Sequence, residues 1–235
     1  MIKPPFLSIV IPAYNEAHNM QNGVLDGVVS FLKTKNYTWE VILVDDGSTD
    51  DTKRLLQSFV RKHKYFKLIE NPHQGKAGTV TTGMLKAQGT YILFTDFDQA
   101  TPISELDEVL PFLKTHDIVI GSRAGRRKGA PLSRIIMARG FMLLRTLTLG
   151  IDVADTQCGF KCFSRKVLET LPLDKIVSNG YAFQIEVNFW CQRLGFKIKE
   201  IPIVFSERRS GASKMSKDIA KEAFWLGVRL FVKRI

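Results

Sequence analysis

The feature that most constrains the fold is an alternation, through the first half of the chain, of short β-branched runs with segments whose apolar residues recur at helical spacing. Such alternation is the signature of a parallel sheet whose strands are joined by crossover helices. The runs place strands over residues 6–11, 39–45, 66–69, 91–95 and 117–121. Between them Val24, Leu25, Val28, Val29 and Leu32 repeat at helical spacing, as do Leu55, Leu56, Phe59 and Val60, marking stripes that face a core. Ser104 followed by Asp107 reads as an N-cap pair opening a helix over residues 105–115. After Gly121 the pattern changes to a basic loop, a long helix from Leu132, and a turn over 155–159. A helix near 181–194, a strand near 197–205 and a basic terminal helix then follow. With 235 residues the chain suits one α/β domain.

In an open parallel sheet, ligands bind beyond the carboxyl ends of the strands, so the residues just after each strand carry the chemistry. Three strands end in polar clusters: Pro12, Ala13, Tyr14, Asn15 and Glu16; then Asp45, Asp46, Gly47 and Ser48; then Asp96, Phe97, Asp98 and Gln99. One acidic turn after a strand is commonly a helix cap. Three converging on one sheet edge specify a ligand site. Asp96 and Asp98 are one residue apart and reach a common site if the chain bends after its strand, leaving Phe97 to pack elsewhere. Two hard carboxylates suit Mg²⁺ or Mn²⁺, which keep positions for water and diphosphate oxygens. A bridging cation stabilises the charge on a departing nucleoside diphosphate, and Lys76 adds a second positive charge beside it. Other nucleotide sites fit worse. No GxGxxG follows the first strand, and Gly75-Lys76-Ala77 lacks the glycine spacing and the Ser/Thr of a P-loop.

The segments IVIPAYNE, ILVDDGSTD, Gly75-Lys76, TDFDQATP, Gly121-Ser122-Arg123, DTQCGFKCFSR, YAFQIE and RRSGASK stand in the order found in family 2 glycosyltransferases. Within that family the chain resembles the polyprenyl-phosphate sugar transferases of the dolichyl-phosphate glucosyltransferase and mannosyltransferase type. The resemblance implies a GT-A fold, that is, a mostly parallel Rossmann-like sheet flanked by helices, with amphipathic helices toward the membrane. It implies a divalent cation and inverting transfer of a hexose from a nucleotide-sugar donor to give a β-linked lipid phosphosugar. Carried over by position, Pro12, Ala13, Tyr14, Glu16 and Asp46 line the nucleotide, with Asp46 or Asp45 accepting from a base N–H. Asp96 and Asp98 hold ribose and metal. Relatives often place a glutamine two positions after the second aspartate as a further ligand; here Ala100 stands there and Gln99 comes one place early. Arg123, Arg134, Arg209 and Lys214 correspond to positions that grip an acceptor phosphate, although a serine one turn beyond the helix arginine is replaced by Ala138. Residues 1–122 would form the nucleotide-sugar part, 123–216 the acceptor part and 217–235 a basic amphipathic helix. DTQCGFKCF resembles the glucosyl branch, which puts UDP-glucose first as donor and GDP-mannose second.

Acceptor chemistry points the same way. A hydroxyl acceptor generally needs a general base, whereas a lipid monophosphate is already anionic and mainly needs positioning, which arginines supply. Asp155 and Glu186 are the candidate bases if the acceptor is a saccharide or protein hydroxyl. Otherwise Asp155 anchors its loop, while Gln184 and Glu186 support the sugar or the active site.

The formal charge of +11 favours nucleic acid, anionic lipid or phosphorylated ligands without choosing among them. A non-catalytic nucleic-acid-binding protein is the competing class, and the Asp96–Asp98 pair argues against it, so no nucleic-acid partner is expected. Arg134, Ala138, Phe141 and Arg145 share a helical stripe within an apolar segment, with Arg126, Arg127 and Lys128 beside it. Residues 217–235 mix Phe224, Trp225, Leu230 and Phe231 with Lys221, Arg229, Lys233 and Arg234. Both segments suit an in-plane helix on an anionic membrane surface. No stretch of about 18 apolar residues occurs, and prolines interrupt the apolar N-terminus. Peripheral attachment at the cytoplasmic face, alone or through a membrane protein partner, is therefore expected. The odd set of Cys158, Cys162 and Cys191 has no zinc spacing and reads as packing residues.

Overall fold

The computed structural model describes residues 3–123, 150–173, 176, 178, 180 and 183–205. Seven strands form one sheet: β1 (Leu7–Ala13), β2 (Trp39–Asp45), β3 (Phe66–Glu70), β4 (Tyr91–Thr95), β5 (Ile118–Ser122), β6 (Phe160–Ser164) and β7 (Ile198–Pro202). Their order is β3-β2-β1-β4-β6-β5-β7. All pairings are parallel except those of β6, which runs antiparallel between β4 and β5. The helices are α1 (Ala17–Gln21), α2 (Val24–Lys33), α3 (Thr52–Lys62), α4 (Gly75–Lys86), α5 (Leu106–Val109), α6 (Arg165–Thr170) and α7 (Phe183–Arg193).

Strands β1, β2 and β4 are apolar and buried on both faces, as strands covered by helices on each side must be. The chain leaves β1 toward β2 and β3, then returns to lay β4 on the other side of β1. That reversal opens a crevice beyond the carboxyl ends of β1 and β4. Gly83 lets α4 approach the sheet closely, because a Cβ there would overlap Val10 and press on Val44 at 3.1 Å. The N-terminus of α4 is thereby held at the crevice.

At the opposite end of the sheet a buried carboxylate ties the strands together. Glu40 accepts from Ser8 Oγ (2.6 Å), Gln88 N (2.8 Å) and Lys67 Nζ (2.8 Å). Burial alone would raise its pKa, but these donors outweigh it and hold the carboxyl below its usual value.

Four of the five strands expected in the first half start or end within a residue of the observed ones, and β1 runs two residues further, to Ala13. The expected late strand is found as β7 and the helix near 181–194 as α7, whose residues Phe183–Phe189 are all buried. One expectation needs correction. The helix expected over 105–115 is broken into a 3₁₀ turn (Ile103–Glu105), the four-residue α5 and a second 3₁₀ turn (Leu110–Lys114), with no side-chain cap from Ser104. Pro111 has no N–H to continue an α-helical ladder there. Strand β6, which follows the 155–159 turn and runs antiparallel, is an element the sequence reading did not place. The long helix from Leu132 and the basic terminal helix lie outside the described residues. No helix among the described residues is long and apolar enough to cross a membrane.

Candidate active site

The crevice at the strand ends holds a cavity of about 210 Å³ lined by Pro12, Ala13, Tyr14, Glu16, Asp46, His73, Gly75, Lys76, Thr79, Asp96, Phe97 and Asp98. Its upper wall is the loop after β1, laced to the loop after β2. Asn15 adopts φ 54°, a left-handed conformation that asparagine tolerates. Its N–H donates to Ser48 Oγ (3.0 Å), its Oδ1 accepts from Thr49 N (2.9 Å), and Glu16 N donates to Thr52 Oγ1 (2.7 Å). The fixed loop sets the Tyr14 ring against His73, with centroids 4.4 Å apart and planes 27° from parallel.

The two aspartates after β2 differ in what they bind. Asp46 accepts from Gln74 N (2.9 Å) and Gly75 N (3.0 Å), and His73 Nδ1 lies 2.9 Å from its Oδ2. It therefore clamps the start of α4. Asp45 Oδ2 accepts a long bond from Ser48 N (3.3 Å), while its buried Oδ1 has no hydrogen-bond partner among the described residues.

The floor of the cavity is the turn after β4. Asp98 Oδ1 accepts from Ala100 N (3.1 Å), Phe97 is buried, and Lys76 on the first turn of α4 places Nζ 2.6 Å from Asp96 Oδ1. Gln99, at φ 49°, donates Nε2 to the Asp96 carbonyl (2.8 Å), and its buried Oε1 has no hydrogen-bond partner among the described residues. Gln99 is absent from the cavity lining. Gly159 approaches the Asp96 carboxylate from the other side: a Cβ there would stand 2.8 Å from Oδ1 and closer still to Oδ2.

Beyond the floor, β6 and the turn before it carry an ionic network. Asp155 binds Arg123 through Nε (2.7 Å), Nη2 (2.8 Å) and the backbone N–H (3.0 Å). Burial would raise the Asp155 pKa, but the Arg123 bonds and charge outweigh it and hold the carboxyl below its usual value. Glu200 fixes the same loop by accepting from Ala154 N (2.7 Å) and Asp155 N (2.9 Å). Lys161 on β6 is buried and donates to Thr156 O (3.1 Å), Cys158 O (2.5 Å) and Gln184 Oε1 (2.8 Å). Its burial pushes its pKa down to about 8. Glu186 is fully buried and accepts from Ser178 N (3.1 Å) and Oγ (2.7 Å).

The structure thus brings Pro12, Ala13, Tyr14, Glu16, Asp46, Lys76, Asp96 and Asp98 to one cavity, and sets Asp45, Arg123, Asp155, Gln184 and Glu186 outside its lining. Arg134, Arg209 and Lys214 lie outside the described residues. Sequence reasoning missed His73, Thr79, Gly159 and Lys161. A lysine inside the apolar run FKCFS was the available signal for Lys161; nothing marked His73 beyond its place before Gly75-Lys76.

A doubly wound sheet with a crevice and paired acidic groups at the switch point is the architecture of a ligand-binding α/β fold. Residues 8–171 match Glycosyl transferase family 2, and the chain belongs to that family. It is 33% identical to a dolichyl-phosphate beta-glucosyltransferase of Trichomonas vaginalis over 94% of this chain and 73% of that one. It is 34% identical to the dolichyl-phosphate beta-glucosyltransferase of Saccharomyces cerevisiae over 95% of this chain and 76% of that one. Among solved structures, glucosyl-3-phosphoglycerate synthase from Mycobacterium tuberculosis, in complex with Mn²⁺, uridine diphosphate and glucosyl-3-phosphoglycerate, superposes with TM-score 0.67 at 18% identity. That match covers 98% of this chain and 80% of that one. The mannosyltransferase PcManGT from Pyrobaculum calidifontis, in complex with GDP-Man and Mn²⁺, superposes with TM-score 0.62 at 20% identity, covering 97% and 65%.

Proposed function

We propose that this enzyme transfers a hexose, with inversion, from a nucleotide diphosphate sugar to a polyprenyl or dolichyl phosphate at a membrane surface. UDP-glucose is the first choice of donor and GDP-mannose the second, in keeping with relatives named dolichyl-phosphate beta-glucosyltransferases. The observation that carries the reading is the meeting of Lys76, Asp96 and Asp98 in one cavity, under the loop that presents Tyr14 and Glu16. Tyr14 offers an aromatic face to the nucleobase, and Asp46, which lines the same cavity, is the nearer of the two aspartates after β2 to accept from a base N–H.

Asp96 and Asp98 fit a hard divalent cation, Mg²⁺ or Mn²⁺: two carboxylates from one turn face a cavity open to the diphosphate oxygens that would complete the shell. When bound, the ion stabilises the negative charge that builds up on the departing diphosphate. Lys76 adds a positive charge to the same oxygens, and Gly159, having no side chain, leaves the Asp96 carboxylate its space.

A phosphate acceptor is favoured over a hydroxyl because both candidate bases are engaged. Asp155 is held ionised against Arg123, and Glu186 is enclosed around Ser178. Asp155 instead orients Arg123 so that its remaining N–H groups serve the acceptor phosphate, with Arg134, Arg209 and Lys214 contributing from the 123–216 part. The basic segments 126–128 and 217–235 attach the enzyme to anionic lipid at the cytoplasmic face. The test is a donor panel (UDP-glucose, GDP-mannose and others) with a short-chain polyprenyl phosphate, reading the lipid-linked product. Transfer to a free saccharide with none to lipid phosphate would sink the proposal.

A further inference from the structure

Lys76 and Asp96 form a contact that the bound state cannot keep unchanged. The ammonium sits 2.6 Å from Oδ1, with both side chains about three-quarters withdrawn from solvent, at 23% and 31% exposure. In a partly desolvated pair the charges are screened less than on the surface, and a second cation approaching the same carboxylate meets the lysine first. Asp96 has little room to turn away. It packs so close to Gly159 that a Cβ there would overlap its Oδ2, and the turn carrying it is fastened by Gln99 Nε2 on the Asp96 carbonyl. The root of Lys76 is fixed as well, because the Gln74 and Gly75 amides just before it are held by Asp46. What remains movable is the lysine side chain, four flexible methylenes ending in a point charge.

We propose that Lys76 is a place-holding cation. It occupies the metal-side carboxylate of Asp96 until a nucleoside diphosphate draws it off, so that divalent cation and donor enter together and the cation does not bind first. Charge exchange favours this order. A divalent ion arriving alone must displace the ammonium without giving it another anion, whereas a diphosphate gives it one within reach of the same helix turn. The swap leaves each charge paired: the ammonium on phosphate, the carboxylates on the ion. This inference rests on the donor site proposed above and adds an order of assembly to it.

The test reads metal binding without turnover. Mn²⁺ is titrated into the full chain and followed by electron paramagnetic resonance, with and without UDP, for wild type, Lys76→Met and Lys76→Arg. Wild type should bind Mn²⁺ weakly alone and much more tightly with UDP. Lys76→Met should bind Mn²⁺ alone about fivefold or more tighter than wild type, the lower end of ordinary site-to-site coupling, and should lose most of the enhancement by UDP. Lys76→Arg, which keeps a cation on Asp96, should retain the wild-type order. Thermal melts establish that the variants are folded, and Lys76→Gln serves where Lys76→Met is not. Unchanged or weaker binding of Mn²⁺ alone to a folded, neutral variant, with Mn²⁺ and UDP still binding wild type together, overturns the place-holding role only. Failure of wild type to bind Mn²⁺ even with UDP overturns both this inference and the donor site.

Discussion

Replacing Lys161 by Met removes a buried ammonium while keeping a side chain of similar length, and its cost follows from two opposing effects. Three acceptors, Thr156 O, Cys158 O and Gln184 Oε1, lose their donor. Hydrogen bonds to a charged group contribute roughly 1.5–3 kcal/mol each. Against this, the variant no longer buries a charge; the fall in pKa from 10.5 to about 8 corresponds to roughly 3 kcal/mol. The net expectation near neutral pH is a destabilisation of about 2–6 kcal/mol, or a fall in Tm of roughly 4–24 °C for a chain of this size. The pH dependence is sharper. Below pH 8 the folded and unfolded chains both hold the Lys161 proton. Between pH 8 and 10.5 only the unfolded chain holds it, so wild-type stability gains with rising pH; above 10.5 the gain is complete. Met does not titrate, so the gap between wild type and variant should widen by up to about 3 kcal/mol over that window. Urea melts of both proteins at about pH 7.5, 9 and 10.5 span that window and measure the gap, and the other titrating groups cancel in the difference. Parallel curves would refute the reasoning, because they would mean that the three carbonyls hold the charge as firmly as water does.

Chelation should abolish sugar transfer, and added Mg²⁺ or Mn²⁺ should restore it; turnover in excess chelator would exclude the assignment of Asp96 and Asp98. Asp98→Asn should cut the transfer rate by about 10²-fold or more while the melting temperature stays near that of wild type. Gly159→Ala should weaken UDP binding in the presence of Mn²⁺ by roughly tenfold or more, because its Cβ displaces the Asp96 carboxylate; calorimetry on the folded variant checks this. Asp155→Asn breaks a largely buried ion pair and should cost about 3–5 kcal/mol at neutral pH. Because the Asp155 pKa lies lower in the fold than in the unfolded chain, its contribution is present above the ordinary aspartate pKa and is lost as pH falls through the folded value, so denaturant melts of wild type and variant should converge in acid. Arg134→Lys should raise the polyprenyl phosphate requirement and leave donor binding intact, since an ammonium cannot make the paired bonds of a guanidinium; a change in nucleotide binding alone would displace Arg134 from the acceptor side.

What the sequence disclosed and what it concealed divide along the sheet. Strands β1 to β5 were legible because each is a short apolar, β-branched run, and in a parallel sheet the polar clusters that close β1, β2 and β4 must fall on one edge. Asp96 and Asp98 could therefore be paired with Tyr14, Glu16 and Asp46 before any coordinates. The α5 region misled because capping residues signal where a helix can begin, and Pro111 decided how far it could run. The division of labour between Asp45 and Asp46 was not legible at all, since adjacent identical residues differ only in which backbone amides reach them.

Strand β6 explains most of the remainder. Being antiparallel, it enters the site from the opposite direction, so its N-terminal end and the turn before it lie beside the C-terminal end of β4: Phe160 pairs with Thr95, one residue before Asp96. The residues on that side that sequence reasoning missed, Gly159 and Lys161, therefore come from just before or early in β6. A rule that looks only after strands cannot find them. The same reversal gives those residues a physical task. The 155–159 turn crosses the end of the sheet, and its carbonyls at Thr156 and Cys158 need a donor. Lys161 supplies one from within the strand itself, Asp155 is taken up by Arg123, and Gly159 leaves the Asp96 carboxylate its space. The buried charge near the site is thus a consequence of strand direction, and perturbing it should disturb the metal-side carboxylate through the turn without touching the nucleotide loops at all.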